Sequence, residues 1–228
     1  MHHGIRIAAL GGVACFAAAC AGAANVAVGP TTAAPTLAAP TTAVGAPALS
    51  WTVSDRSKAT VRIREQLVGV SLPSDAVLVA SGAQGSFSLN ADGTFASGST
   101  ITFDLRTLAS DSRDRDTFVK RDTLQVSRFP TATFVPTKVT GLTLPLPASG
   151  DFTFTLTGTL TIHGQDKTVR FDVQATRSGA DLTATATADP TLTFGDFGMS
   201  APSVPFRVVS VTDEIRLVVE LVAAGPAT

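Results

Sequence analysis

Few side chains in this sequence have the chemistry to break bonds or hold an ion. The 228 residues include two cysteines and three histidines. Cys15 and Cys20 both fall in an N-terminal apolar segment, and His2 and His3 follow the first residue, which leaves His163 as the sole later histidine. With no second histidine and no cysteine to join it, His163 lacks the partners of a zinc site or a catalytic triad. It reads as a turn residue in His163-Gly164-Gln165-Asp166. Asp111, Asp114, Asp116 and Asp122 are interleaved with Arg113, Arg115, Lys120 and Arg121. These cations argue against a calcium loop, which needs oxygen ligands without adjacent positive charge. The four basic residues are candidates for contacting a polar head group, against the plainer reading of a solvated helix face. No phosphate-cradling glycine loop and no Gly-x-Ser-x-Gly elbow occurs. The sequence therefore predicts no catalytic residue, no cofactor and no metal.

Cys20 has one specific chemistry open to it. Arg6 precedes an apolar run, Ile7–Ala19, that ends in Ala17-Ala18-Ala19-Cys20. Small residues before a cysteine form the processing signal of bacterial lipoproteins, in which the thiol is lipidated and the cysteine becomes the N-terminus. Ala17 stands where leucine is usual, so plain secretion with nearby cleavage is the alternative. Cys15 follows too short an apolar run, and the segment is too short and too rich in Ala and Gly for a retained membrane helix. Residues 1–19 are thus expected to be a signal peptide. Processing before Cys20 removes Arg6 and no acid, so Lys+Arg falls from 17 to 16 against 18 Asp+Glu. A slightly acidic domain gives no support to nucleic-acid binding. Both cysteines lie in the segment, so the folded part has no disulfide.

Residues 20–48 form the next unit. Ala21–Ser50 carries no charge and is built from Ala, Thr, Pro, Gly and Val, the composition of a tether rather than of a core. From Leu49 to about residue 224 the pattern changes to period two. Ala59, Val61 and Ile63 alternate with Thr60, Arg62 and Arg64. Phe87 and Leu89 alternate with serines, and Ile101, Phe103 and Leu105 with polar residues. Phe152, Phe154, Leu156, Gly158, Leu160 and Ile162 alternate with threonines. Val169, Phe171, Val173 and Ala175 follow, then Leu182, Ala184, Ala186 and Ala188, and finally Ile215, Leu217, Val219 and Leu221. Alternation puts apolar side chains on one face of each strand, and β-branched threonine favours extension on the other. Turn signals at Ala91-Asp92-Gly93, His163-Gly164 and Ser178-Gly179 separate the runs. Eight to ten mostly antiparallel strands are expected, closed as a barrel or stacked as a sandwich; periodicity does not separate the two. Ser110–Gln125 breaks the pattern and predicts a short helix capped by Ser110 or Asp111, with an Asp116–Lys120 pair and Phe118 and Leu124 as anchors.

Several of these pieces, in this order, resemble the YceI-like family. They are Trp51–Val61 with Asp55 and Ser57, Ser110-Asp111 with Arg115-Asp116, Phe129-Pro130-Thr131-Ala132-Thr133-Phe134, Gly158–Thr168, Asp196-Phe197-Gly198 and Asp213-Glu214-Ile215. The likeness runs from about Trp51 to Ala223. It implies an all-β, antiparallel, roughly eight-stranded lipocalin-like barrel with one short helix, and a cavity for a polyisoprenoid chain. It brings no family-wide catalytic residues. The candidate lining is Val61, Ile63, Phe103, Phe134, Phe152, Phe154, Leu156 and Phe171. Thirteen Phe against no Tyr and one Trp suit a ligand without polar groups along its length. Gly158 is expected to leave room for it. The leading expectation is a lipoprotein on the extracytoplasmic side of the cell membrane, or alternatively a secreted protein. Its partner would be an isoprenoid lipid or quinone. A structural or envelope-stress interaction protein with a filled barrel is the alternative. An enzyme is the weakest reading, for want of a nucleophile and base.

Overall fold

The computed structural model describes residues 48–204 and 206–225. Cys20 and the expected signal peptide lie outside them, as does the expected tether up to Pro47. Eleven strands follow in chain order: β1 (Leu49–Val53), β2 (Lys58–Leu67), β3 (Ser74–Ala80), β4 (Gln84–Leu89), β5 (Thr100–Asp104), β6 (Thr131–Thr140), β7 (Ser149–Ile162), β8 (Gln165–Ser178), β9 (Asp181–Ala188), the two-residue β10 (Leu192–Thr193) and β11 (Val208–Ala224). One α-helix, α1 (Arg113–Phe118), lies between β5 and β6 and runs into a π-helical turn over Val119–Thr123.

All strand pairings are antiparallel, and they close a ring. β1 and β2 run end to end along the same edge of β11, while β3 and β4 run end to end along the other side of that pair. Each couple behaves as one kinked strand. The ring then reads β1/β2, β3/β4, β5, β6, β7, β8, β9, β11, which is eight positions and returns to its start. This decides for a barrel over a sandwich. The kink between β1 and β2 is held by Ser57, which is fully buried. Its hydroxyl donates to the Val222 carbonyl at 3.1 Å and accepts from the Val222 N–H at 2.9 Å, replacing a rung of the ladder.

The alternating runs become strands because each puts one apolar row inside the ring. β8 shows this most plainly, with Val169, Phe171, Val173 and Ala175 buried between exposed neighbours. β7 and β8 pair without a slip from Ser149↔Ser178 to Ile162↔Gln165, so His163-Gly164 is a two-residue turn rather than a four-residue one. His163 at φ +52° and Gly164 at φ +72° have the left-handed backbone that such hairpins demand. β3 and most of β6 were not legible from alternation. β11 begins seven residues before the expected Ile215, because a register shift between Val211 and Ile215 hides its period.

The helix corrects the expectation at three points. Ser112, not Ser110 or Asp111, is the N-cap, accepting from the Arg115 N–H at 3.4 Å. Asp116 does not pair with Lys120; it accepts from the Ser110 hydroxyl at 2.7 Å and the Ser110 N–H at 2.8 Å. Val119, not Phe118, joins Leu124 against the core.

Candidate functional site: an enclosed apolar cavity

The connections β2–β3, β5–β6, β7–β8 and β9–β11 gather at one end of the ring, here termed the roof. The connections β4–β5, β6–β7 and β8–β9 gather at the floor. Between the ends lies a cavity of about 220 Å³. Val61, Ile63, Phe103, Phe134, Phe152, Phe154, Leu156 and Phe171 all border it, so the barrel brings together residues from β2, β5, β6, β7 and β8. Among the described residues no charged side chain borders it, and Thr123 is the one hydroxyl-bearing residue that does.

The space exists because several inward positions carry small residues. Ala184 and Ala186 of β9, Ala59 of β2, Ala132 of β6 and Ala175 of β8 all face it. Large rings stand among them. Phe134 and Phe171 meet edge to face, with centroids 5.4 Å apart. A barrel of this strand number has an interior that side chains can fill, so methyl groups on several strands leave a void. The Leu182–Ala188 run carried this signal: its inward face is alanine, where a filled core calls for bulk. The search for large apolar groups passed over it, and over Met199, Leu142 and Leu146, which reach the cavity from loops.

Gly158 does not create the space. A Cβ there would stand 2.5 Å from the Val135 carbonyl oxygen and 2.6 Å from Phe134 Cε2. Phe134 lies over the glycine, next to the register shift that Pro136 introduces in β6. The glycine serves close packing of β6 on β7, and no channel passes there.

The roof consists of the chain between β5 and β6, with Leu105, Leu108, Val119, Thr123 and Leu124 turned to the cavity. Phe194, Phe197 and Met199 from the β9–β11 connection complete it. Arg115 fastens α1 to the barrel wall through an ion pair with Glu65 at 2.6 Å, and it also reaches Asp111. Glu65 is buried, so removing Arg115 would strand its charge away from water. Arg207 pairs with Asp114 at 2.8 Å in the open. Of the other cations proposed for a head group, Arg121 pairs with its neighbour Asp122 at 2.7 Å. None of Arg113, Arg115, Lys120 and Arg121 borders the cavity.

His163 lies beside the roof but does not border the cavity. Its Nδ1 is 3.3 Å from the Phe197 carbonyl oxygen, and its ring meets Phe129 edge to face at 4.6 Å. Asp196 anchors the neighbouring turn, accepting from the Thr193 N–H at 2.9 Å and from Lys167 Nζ at 2.5 Å. Hydrogen bonding to the Lys167 ammonium, helped by the Thr193 N–H, holds its carboxyl below the ordinary value of 3.8. At the floor, Arg177 is buried beneath the β6–β7 loop. Its guanidinium donates to the carbonyls of Gly179, Leu146 and Pro147 at 3.0, 3.2 and 3.0 Å and lies 5.4 Å from the Trp51 ring centre. Among the described residues no group of three or more His, Cys, Asp or Glu gathers in a way that could hold a metal ion.

A closed antiparallel ring around an apolar chamber defines a small β-barrel with an internal cavity. Residues 51–223 match the family model of the YceI-like domain, and the chain belongs to that family. UPF0312 proteins of two Pseudomonas putida strains, F1 and KT2440, are each 36% identical to it over 111 residues. These matches cover 46% of this chain and 54% of those proteins, so the chain spans about half the length of the curated relatives it matches. Among solved structures, the fold is similar to a polyisoprenoid binding domain from Saccharophagus degradans, at TM-score 0.57 and 12% identity, covering 78% of this chain and 99% of that one. It is also similar to BcnA of Burkholderia cenocepacia, at TM-score 0.51 and 21% identity, covering 74% and 96%. A YCEI protein of Campylobacter jejuni matches at TM-score 0.52 and 17% identity, covering 72% and 91%.

Proposed function

We propose that this protein is an extracytoplasmic lipid-binding protein that holds a polyisoprenoid or isoprenoid-quinone chain in its barrel. The observation that carries the reading is the cavity: about 220 Å³, bordered by aromatic and aliphatic side chains and by no charge. Each CH2 moved from water into such a lining gains about 0.8 kcal/mol before the costs of ordering the chain. A few isoprene units thus supply affinity without any hydrogen bond along their length. The polyisoprenoid-binding name of the Saccharophagus degradans domain supports the same ligand class. The competing reading, a barrel filled by its own side chains, fits poorly with alanines of four strands facing open space. Neither a nucleophile nor a base faces the cavity, so the reading assigns binding and not catalysis.

We further propose that Cys20 carries the lipid that holds the protein at the cell membrane. The support is the apolar run ending in Ala-Ala-Ala-Cys, followed by a charge-free stretch. Lipid extraction and mass spectrometry of protein purified from membranes tests the binding reading. Copurified polyprenyl chains or quinones are expected. Protein that carries none, and takes none up from vesicles containing them, overturns it. Cys20→Ala should move the protein from the membrane fraction to the soluble fraction. Retention at wild-type level, with normal processing, overturns the anchor alone.

A further inference from the structure

The apolar side chains that this protein leaves in water stand mostly at the roof end. Among the described residues the large exposed hydrophobics are Val68, Val70, Leu72, Val135, Phe206 and Val209. Val135 is alone on the outer wall, in β6. The others belong to the β2–β3 connection and to the chain entering β11. Backbone contacts join these two segments into one tip. The Val68 N–H donates to the Arg207 carbonyl at 3.0 Å, and Leu67 pairs with Val208. β2 borders the cavity only as far as Ile63, and β11 only from Ile215. At a rise of about 3.3 Å per residue, Leu67 lies roughly 13 Å past Ile63 along its strand. The tip therefore projects beyond the chamber.

Phe206 is the plainest case. Its side chain has no core to join, since the residue is 96% exposed. Its φ of +66° is left-handed backbone, which glycine and asparagine adopt and a bulky residue avoids. The turn around it closes with the N–H groups of Arg207 and Val208 on the Val204 carbonyl, at 3.2 and 3.0 Å. Glycine would make that turn at no steric cost. Leu72, beside it in the tip, is 75% exposed. Neither packing nor turn geometry accounts for a ring and a leucine here, and clustered apolar groups left in water mark a surface that meets another apolar phase.

We propose that this tip is a membrane-docking surface, with Val70, Leu72 and Phe206 entering a lipid bilayer and Arg207 meeting its head-group phosphates. Charge favours this occupant. Residues 66–74 carry no charge, and residues 201–212 carry one, the cation Arg207. A neutral apolar tip beside a cation suits the acyl boundary under a layer of phosphates. Size favours it over a second protein. Five partly exposed side chains on a turn offer less than the roughly 800 Å² per partner of a stable protein interface. Docking also bears on the roof. Arg207 pairs with Asp114 of α1 at 2.8 Å, fully in the open, so a phosphate can take the place of that carboxylate. The tip then sets the roof against the bilayer and frees one tie of α1. This contact goes beyond the lipid-binding reading and needs neither Cys20 nor a ligand in the cavity.

The test uses the full chain carrying Cys20→Ala, so that no lipid on residue 20 holds it, and vesicles of phosphatidylethanolamine with phosphatidylglycerol. Cosedimentation is expected. Leu72→Ser with Phe206→Asn, at exposed positions, should keep the parent's melting temperature and lower partitioning by about 10-fold or more. Val135→Thr, the same kind of change on the outer wall, should leave partitioning within about 2-fold. Arg207→Gln should weaken it by about 3- to 5-fold. Phe206→Trp gives a direct readout, because Trp51, the only tryptophan in the sequence, is buried and borders the cavity at the other end. Brominated lipid should quench the new tryptophan and spare Trp51. Partitioning that ignores Leu72 and Phe206, or a residue 206 tryptophan that brominated lipid does not quench, overturns the proposal. So does a concentration-dependent dimer abolished by the tip variant without vesicle binding, which assigns the surface to a second copy. Failure to dock by protein that copurifies with prenyl chains overturns this proposal alone. Docking by protein whose cavity takes up no prenyl chain supports it and leaves the lipid-binding reading to fall alone.

Discussion

At the floor of the cavity the closing groups are Arg177, Trp51 and the loop between β6 and β7, and the bonds that join them end on backbone carbonyls. At the roof the closing piece is a separate stretch of chain, joined to β3 by a backbone bridge between Ala109 and Val79 and fastened further along by side-chain ion pairs, chiefly Glu65 with Arg115. The floor belongs to the sheet itself: Arg177 projects from β8, Trp51 from β1, and the acceptors flank the ladder between β7, β8 and β9. Loosening it disturbs the strands. The helical part of the roof is held by a side-chain contact between residues fifty positions apart, and releasing it leaves every strand pairing intact. Under the proposed lipid-binding function, the roof is the end expected to yield to an entering chain.

The largest effect expected from breaking this contrast is at Arg177. Arg177→Ala leaves three carbonyls without their donor under a loop and uncovers the Trp51 face. The expected cost is about 2–4 kcal/mol in denaturant unfolding. A loss below that of the roof variant described next would erase the distinction between the ends.

Arg115→Ala comes second, at about 1–3 kcal/mol, because it leaves Glu65 buried without its partner. It should also speed release of a bound prenyl chain several-fold, measured by Trp51 fluorescence on dilution into empty vesicles. Arg177→Ala, assayed at a temperature where it is fully folded, should not. Adding Glu65→Gln to Arg115→Ala should recover part of the stability, since a neutral amide is less costly to leave unpaired than a carboxylate. No recovery would mean that the pair contributes little across the roof.

The smallest effect expected concerns Asp196, which steadies the roof from the β9–β11 side. Its carboxyl is held below its ordinary value, first by the Lys167 ammonium and then by the Thr193 N–H. A depressed folded-state value means that the charged form stabilises the fold above the unfolded value of 3.8, and that this contribution is lost as pH falls through the lower folded value. Asp196→Asn should therefore lower the melting temperature by about 1–3 °C at pH 7, and the gap to wild type should close below about pH 4. A gap that persists unchanged into acid would assign the role to shape rather than charge.

Strand identity and inward face were open to reading from residue order, because alternation is a local property with period two. So were the eight large residues that border the cavity and the turn at His163-Gly164. Ser112 as the cap was not, because three neighbouring polar residues could each serve and packing of the roof chose among them. Gly158 misled for a related reason: a missing side chain looks like a gap along one strand, yet Phe134 of β6 fills it from the next.

The sequence by itself settled what kind of surface each strand buries. Only the tertiary structure decided whether the interior is full. Volume inside a ring is shared among strands far apart in the chain, and the register of each pair determines which side chains stand at the same height. Registers place alanines of β2, β6, β8 and β9 around a common space with phenylalanines of β5, β6, β7 and β8, so the rings cannot close it. The same long-range geometry set Val119, Thr123 and Leu124 of a charged helical segment against the cavity, because the winding of the π-helical turn on the barrel decides which of its residues reach it and no local pattern encodes that.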